Sequence, residues 1–146
     1  MVINGGDFHA SGPVFGPDND VVLIRDPRKS NPLWKFPGGK RKLIRRFGKK
    51  PRDENPLETF LRETKEETGL WLKKRNVEFV VSFDMGTYNK HVFLSQVSSF
   101  RGLAPLSEEY EETKIFKLDD LLWLPDFHPW YRDCYFKHIV PLLNTP

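Results

Sequence analysis

The chain has 146 residues, of which 38% are hydrophobic and 14% aromatic, and we expect a single domain over residues 1–146. No apolar run is long enough to span a membrane and no signal-peptide pattern opens the chain, so we expect no membrane partner. The single cysteine, Cys134, excludes an internal disulfide and favours a reducing cytoplasmic location.

The net charge of +3 hides an uneven distribution of charged residues. Residues 40–52 contain eight basic side chains and no acidic one, whereas the rest of the chain is acidic on balance. Such a basic segment predicts an anionic partner close by, such as a polyphosphate or a nucleic acid. A solvated loop that only aids solubility is the alternative.

Three strands are predicted before this segment, at residues 8–15, 21–24 and 33–36. Gly12 and Pro13 place a break or an edge in the first strand. The second is a continuous apolar run and should be buried on both faces. The third is short and should end at a turn formed by Pro37, Gly38 and Gly39.

A helix is predicted between Asn55 and Gly69. Asn55 suits the N-cap, Pro56 suits the first helical position, and Glu58 completes a capping box. Gly69 suits a left-handed C-cap. Bulky side chains recur at spacings of three and four and should pack inward, namely those of Leu57, Phe60, Leu61 and Thr64.

Glu63, Glu66 and Glu67 share another face of this helix. Like charges at these spacings destabilise a helix by about 0.2–0.5 kcal/mol per pair. A divalent cation would reverse this penalty, because carboxylate oxygens are the ligands that Mg²⁺ prefers. The alternative is a solvated acidic face, with Arg62 and Lys65 as local counter-charges.

The C-terminal half is predicted to contain strands at 78–83, 91–97 and 114–116, with residues 85–90 as a connection. A short helical turn at 119–124 and a helix at 130–139 should follow, and Pro141 should end or kink the helix. Strands on both sides of one helix, followed by a second helix, indicate an α/β layered domain.

The spacing Gly-x5-Glu-x7-Arg-Glu-x-x-Glu-Glu-x-Gly-Leu resembles the signature of the Nudix hydrolase family. Its fixed positions are Gly48, Glu54, Arg62, Glu63, Glu66, Glu67 and Gly69. The resemblance implies a Nudix-like α/β/α sandwich with a mixed sheet between helices. Two features depart from the family pattern. Thr64 replaces an aliphatic residue, and nine extra residues follow Gly39, which normally supplies the signature glycine, so Gly39 and Gly48 are both candidates for that role.

The resemblance implies a divalent-metal-dependent pyrophosphohydrolase that uses Mg²⁺ or Mn²⁺. It would cleave a phosphoanhydride of a nucleoside diphosphate linked to another group. Candidate substrates are nucleoside triphosphates, dinucleoside polyphosphates, nucleotide sugars and capped or triphosphorylated RNA. The alternative is a non-catalytic Nudix-fold module that binds a nucleotide or RNA. A homodimer is one possible assembly.

The resemblance also assigns roles to residues of the chain. Glu63, Glu66 and Glu67 match the metal-binding carboxylates, Glu54 matches an acidic position that supports them, and Arg62 matches the arginine that holds the glutamates. The catalytic base is either Glu66 or a distant glutamate, for which we favour Glu109 over Glu108, Glu111 and Glu112. The predicted substrate-binding residues are Gly39, Lys40, Arg41, Arg45, Arg46 and Tyr88. Four of them lie in the basic segment 40–52, which is suited to binding an RNA 5′ end.

Overall fold

The computed structural model describes residues 7–44, 47–104 and 111–144. The strands in these ranges are β1 (Phe8–Ser11), β2 (Val14–Phe15), β3 (Asp20–Arg25), β4 (Gly38–Lys40), β5 (Leu43–Ile44), β6 (Arg52–Asp53), β7 (Val77–Asp84), β8 (Asn89–Gln96) and β9 (Glu112–Lys117). The helices are α1 (Pro56–Thr68), α2 (Pro129–Cys134) and α3 (Val140–Leu143). A π-helical turn at Tyr135–Ile139 joins α2 to α3, and 3-10 turns occur at Lys74–Asn76 and Leu118–Trp123.

Seven of these strands form one mixed sheet. Strand β8 pairs in parallel with β1 and β2 and antiparallel with β7. The path β4-β1-β8-β2-β3-β9 gives the remaining neighbours, which pair antiparallel. The predicted mixed sheet with helices is confirmed.

The break between β1 and β2 lies at Gly12 and Pro13, as predicted. A Cβ atom on Gly12 would lie 1.7 Å from the carbonyl oxygen of Phe93, so a side chain does not fit there. The break lets one continuous segment pair with β8 at two places.

Two hydrophobic clusters cover the two faces of the sheet. Val21 and Leu23 belong to one cluster, whereas Val22, between them in β3, belongs to the other, so this strand is buried on both faces as predicted. The first cluster includes Tyr131 and Ile139 from the C-terminal helical segment. The second includes Phe60 of α1. The sheet therefore lies between α1 and the C-terminal helices.

Helix α1 begins and ends at the predicted caps. Asn55 Oδ1 accepts a hydrogen bond from the Glu58 amide at 2.9 Å, and Glu58 Oε1 accepts one from the Asn55 amide at 2.9 Å. Gly69 adopts a left-handed conformation with φ of 78°, and its amide donates to the carbonyl of Lys65. Phe60 and Thr64 are fully buried on the inner face, whereas Leu57 and Leu61 are only partly buried.

Three sequence predictions are wrong about strand bounds. Residues 33–36 are not a strand, because Trp34 and Lys35 make only isolated bridges. The predicted turn instead contributes Gly38 and Gly39 to β4, where they pair with β1. Glycine suits these positions because α1 packs directly against β4 and leaves little room for a side chain. Asn89 and Lys90, placed by prediction in a connection, begin β8, and Val97 lies beyond its end.

The C-terminal helix continues past Pro141 instead of ending there. Proline has no N–H to donate to residue 137, and the wider turn at Tyr135–Ile139 immediately precedes the α3 segment that holds it. Cys134 is buried and free, in agreement with a packing role. None of the described helices combines the length and apolar character needed to cross a lipid bilayer.

Candidate active site

Gly39 lets β4 approach the acidic face of α1. A Cβ atom on Gly39 would lie 2.5 Å from Glu63 Cδ and 2.6 Å from Glu63 Oε1. Gly48, the other candidate for the signature glycine, has no atom within 4 Å of its would-be Cβ and adopts a left-handed φ of 72°. The close approach therefore favours Gly39 as the functional glycine and Gly48 as a turn residue.

Glu67 points inward and is only 5% exposed. Its Oε1 accepts a hydrogen bond of 2.8 Å from the backbone amide of Gly38. Burial raises the pKa of Glu67 well above its ordinary value, and the charges of Glu63 and Glu111 raise it further, against the opposing effect of the Gly38 amide. A nearby cation would stabilise the ionised form of this carboxylate.

Arg62 connects the acidic residues to one another. Its guanidinium donates to Glu54 at 2.7 and 2.9 Å, to Glu63 at 3.0 Å and to Glu66 at 3.1 Å. A fifth hydrogen bond of 2.9 Å runs to the carbonyl oxygen of Lys40 in β4. These contacts use the five N–H donors of the side chain, so Arg62 fixes α1, β4 and Glu54 relative to each other.

Glu54 is buried, and its carboxylate is saturated with donors. Oε1 accepts from the Lys42 amide at 2.8 Å, from the Thr59 hydroxyl at 2.9 Å and from Arg62, whose Nε also reaches Oε2. Burial alone would raise the pKa of Glu54, but hydrogen bonds from Arg62 and Thr59 hold it below its ordinary value. A carboxylate has about four acceptor positions, so this arrangement favours a supporting role for Glu54 over direct metal binding.

The donor set fits a hard divalent cation in its chemistry. Glu63, Glu66 and Glu67 offer only oxygen atoms. Burial first, and then the charges of Glu63 and Glu111, raise the pKa of Glu67, and a bound cation would offset both effects. Within the part of the chain that the structure describes, no three His, Cys, Asp or Glu side chains already stand in a metal-binding arrangement. Arg62 holds Glu63 Oε1 and Glu66 Oε2, so one oxygen of each carboxylate is fixed in position.

Among the predicted distant glutamates that the structure describes, Glu111 is the one that acts on the proposed metal-binding glutamates. It immediately precedes β9, and its charge acts on Glu67. One of its oxygens, Oε2, is buried. Glu112 is instead engaged with Arg25, whose Nε lies 2.8 Å from Glu112 Oε2. Glu108 and Glu109 lie outside the described residues, so the preference for Glu109 stays a prediction.

A cleft of about 530 Å³ brings three of the predicted substrate-binding residues together. Lys40, Arg41 and Tyr88 line it with Asp7, Phe8, His9 and Thr87. Lys40 follows Gly39 directly, so the wall of the cleft includes part of the strand that contacts Glu63. Sequence reasoning missed His9, whose only signal was its position in the strand that pairs with β4.

The basic segment is a partly ion-paired hairpin. Strands β5 and β6 pair antiparallel and bring its two ends together. Arg41 forms ion pairs with Asp53 and, at 3.7 Å, with Asp7, while Arg52 reaches Glu58 at 2.7 Å. Acids outside the segment thus neutralise two of its cations. Arg45 and Arg46 lie outside the described residues, and their predicted role is untested.

The comparisons with known proteins agree with this fold. A family model of the NUDIX domain matches residues 8–137. The MutT protein of Methanosarcina mazei Go1 is 18% identical and superimposes with a TM-score of 0.66 over 94% of this chain and 95% of that one. The MutT Nudix hydrolase of Burkholderia pseudomallei is 22% identical, with a TM-score of 0.61 over 89% and 95%. The search of curated proteins gave no match.

The chain belongs to the Nudix family, because the family model covers most of its length. It is a Nudix-type hydrolase that acts on phosphoanhydride substrates. The family generally uses a divalent metal and binds nucleotide-type substrates.

Proposed function

We propose that the protein is a Mg²⁺- or Mn²⁺-dependent pyrophosphohydrolase that cleaves a phosphoanhydride of a nucleoside diphosphate derivative. The observation that carries the proposal is that Glu63 and Glu67 lie against β4 and that Arg62 joins Glu63 to Glu66, with Glu67 buried and its pKa raised. Folding concentrates negative charge at one point, and a bound cation is the physical reason for keeping it there.

In this proposal Glu63, Glu66 and Glu67 hold the metal. Arg62 holds Glu63 and Glu66 in place, and Glu54 anchors Arg62. When bound, the metal neutralises phosphate oxygens and lowers the pKa of a bound water. The five hydrogen bonds of Arg62 limit the freedom of the glutamate side chains. Their oxygens are therefore preorganised, which reduces the reorganisation needed during the reaction.

Glu66 is our candidate for the proton acceptor. Its side chain is 40% exposed, against 18% for that of Glu63, so it has the better access to an attacking water. One of its oxygens is held by Arg62 and the other is turned to no donor among the described side chains. Glu111, which immediately precedes β9, is the alternative, because its charge acts on Glu67. Comparing Glu66→Gln with Glu111→Gln separates these roles, since removing the base should give the larger loss of kcat.

We propose that the cleft binds the nucleoside end of the substrate. Tyr88 is half-buried in its wall and offers a ring on which a base can stack. Lys40 is exposed beside it and can contact a phosphate between the base and the glutamates. Tyr88→Phe should then leave KM nearly unchanged, whereas Tyr88→Ala should raise it, because stacking needs the ring and not the hydroxyl.

A hydrolysis screen with product identification tests the function. The substrates are nucleoside triphosphates, dinucleoside polyphosphates, nucleotide sugars, ADP-ribose, and RNA with a capped or triphosphorylated 5′ end. Cleavage of at least one phosphoanhydride should require Mg²⁺ or Mn²⁺, stop with EDTA and be lost in Glu67→Gln. Glu78→Gln is the matched control, because Glu78 is an exposed acid on β7. Metal-independent cleavage, or full activity in Glu67→Gln, would overturn the proposal.

The basic segment supports a preference for long phosphate chains or an RNA 5′ end. Among the described residues, Lys42, Lys49 and Lys50 form no ion pair, so their charges remain available to a polyanion. Replacing Lys49 and Lys50 with serine should weaken the salt dependence of kcat/KM, and more for triphosphorylated RNA than for a nucleotide sugar. Lys73 and Lys74, exposed in the connection between α1 and β7, provide the control pair. Equal salt slopes for all three proteins would leave the segment a solvated hairpin.

Cytoplasmic location and a homodimeric assembly stay predictions. The buried free Cys134 is compatible with a reducing compartment. Sedimentation of the purified protein measures its oligomeric state directly.

A further inference from the structure

Lys40, His9 and Lys90 form a row across three neighbouring strands. His9 in β1 lies opposite Lys40 in β4 and opposite Lys90 in β8. Residues opposite each other in paired strands extend to the same face of the sheet. Ala10, next to His9, belongs to the hydrophobic cluster under α1, so the row extends to the other face, beside the C-terminal helices.

Lys90 is buried in an aromatic setting without an acidic partner. The residue is 8% exposed, and its Nζ lies 3.9 Å from the ring centroid of Trp130 and 4.3 Å from that of Tyr131. Among the described residues, Lys90 takes part in no ion pair. Burial, and then the charge of Lys35, lower its pKa to about 8 against the opposing effect of Cys134. An anion would stabilise the buried ammonium group of Lys90, because the two aromatic rings replace only part of its lost hydration.

His9 shows that this part of the sheet carries a positive field. Its Nδ1 is buried and has no hydrogen-bond partner among the described residues. Burial first, and then the charges of Lys90, Lys35 and Lys40, lower the pKa of His9 to about 3. The imidazole is therefore neutral near pH 7 and can offer one ring nitrogen as a donor to a ligand.

The row begins beside the proposed metal centre, on the other face of β4. The carbonyl oxygen of Lys40 accepts from Arg62, and Gly39 before it lies against Glu63, whereas the Lys40 side chain extends to the opposite face of the sheet. Burial first, and then the charge of Glu67, raise the pKa of Tyr131, so the ring beneath Lys90 lies within electrostatic reach of Glu67. Neighbouring strands are about 4.8 Å apart, so the backbones of Lys40 and Lys90 are separated by about 10 Å. Lysine side chains at this separation can hold one phosphate chain between them.

We infer that Lys90, His9 and Lys40 form an anion subsite that binds a phosphate group of the substrate next to the phosphate held at Glu63, Glu66 and Glu67. The inference rests on the proposed function for the identity of the substrate. The binding of a phosphate chain to the row is a separate property that needs no hydrolysis. Phosphate oxygens supply the negative charge that Lys90 lacks, and His9 adds a neutral hydrogen bond.

Calorimetric titration with inorganic tripolyphosphate tests the subsite without metal or cleavage. In EDTA, Lys90→Met should raise the Kd at least tenfold, because methionine keeps the packing between Trp130 and Tyr131 but removes the charge. Lys114→Met is the matched control: the Lys114 ammonium also lies over a ring, that of Phe116 at 5.2 Å, but on exposed β9. This control should retain the wild-type Kd.

A second measurement uses only the wild-type protein, so it does not depend on the folding of a variant. Limited acetylation followed by mass spectrometry reports how fast each lysine reacts. Tripolyphosphate should slow the acetylation of Lys90 at least fivefold and leave Lys114 unchanged.

Each outcome is decisive for the subsite. Equal Kd values for the wild type and Lys90→Met, or unprotected Lys90, would overturn it. If Lys90→Met lost affinity for nucleosides but kept its affinity for tripolyphosphate, the subsite would also be overturned, because Lys90 would then contact the base. If the hydrolysis screen is negative but tripolyphosphate binding depends on Lys90, the subsite stands and only the proposed reaction fails.

Discussion

Arg62 and Glu54 form a two-pronged ion pair, with Arg62 Nε 2.7 Å from Glu54 Oε2 and Nη2 2.9 Å from Oε1. Glu54 lies at the end of the β5–β6 hairpin and Arg62 lies in the middle of α1. The pair therefore ties the inserted basic segment to the helix that carries the proposed metal ligands. Hydrogen bonds from Arg62 to an ionised carboxylate raise its own pKa above the ordinary arginine value.

Arg62→Lys should lower kcat by about 10–100-fold with little change in KM, because lysine cannot contact Glu54, Glu63 and Glu66 in one plane. Arg28→Lys is the control. Arg28 makes a similar two-pronged pair with Asp26, at 3.0 Å for both contacts, on an exposed loop. Steady-state kinetics on both variants make the comparison. A raised KM with normal kcat in Arg62→Lys would indicate substrate contact instead of side-chain orientation.

Gly39→Ala should reduce activity by about 10–100-fold, because the new methyl group displaces the Glu63 carboxylate. Gly48→Ala should instead cost about 1 kcal/mol in the free energy of unfolding, owing to its left-handed backbone, and leave kcat unchanged. Kinetics and urea unfolding of both variants identify the functional glycine. Loss of kcat in Gly48→Ala, with Gly39→Ala active, would reverse this assignment.

Saturating Mg²⁺ should raise the Tm of the wild type by about 5–10 °C, as expected for a ligand at a hundred times its Kd in a domain of this size. Glu67→Gln should lose most of this gain, since it removes the buried charge that the cation offsets. Glu78→Gln should keep it. Differential scanning calorimetry with Mg²⁺ and with EDTA measures both effects, and an equal gain in all three proteins would exclude Glu67 as a ligand.

The stability of the folded protein should depend on pH through His9. Its pKa falls from 6.5 in the unfolded chain to about 3 in the folded protein, because of burial and the charges of Lys90, Lys35 and Lys40. Between these values the unfolded chain binds a proton that the folded protein does not. Stability should therefore fall as the pH falls from 6.5 towards 3, by at most about 1.4 kcal/mol per pH unit.

His9→Gln should flatten this part of the stability profile, because glutamine binds no proton in either state. Urea unfolding of both proteins from pH 4 to pH 7 in EDTA measures the difference, in which shared contributions from carboxylates cancel. Parallel profiles would show that His9 is protonated equally in the folded and unfolded states.

The sequence by itself determined the local features of the site. The caps at Asn55 and Gly69, the helix between them and the shared face of Glu63, Glu66 and Glu67 follow from short-range spacing, and the structure contains each of them. Residues three and four apart on a helix are neighbours whatever surrounds them. The signature spacing indicated the family for the same reason, since most of it lies within one helix and its approach.

Tertiary structure decided everything that depends on strand pairing. Residues 33–36 have the composition of a strand, yet Gly38–Lys40 pair with β1 instead. A side chain at Gly38 would clash with β1, and one at Gly39 would clash with Glu63. The segment containing Glu111 reaches Glu67 only because β9 pairs with β3. Lys90 lies opposite His9 across 81 residues of chain through the parallel pairing of β1 with β8. Residue spacing cannot report such contacts, since pairing register depends on the whole sheet.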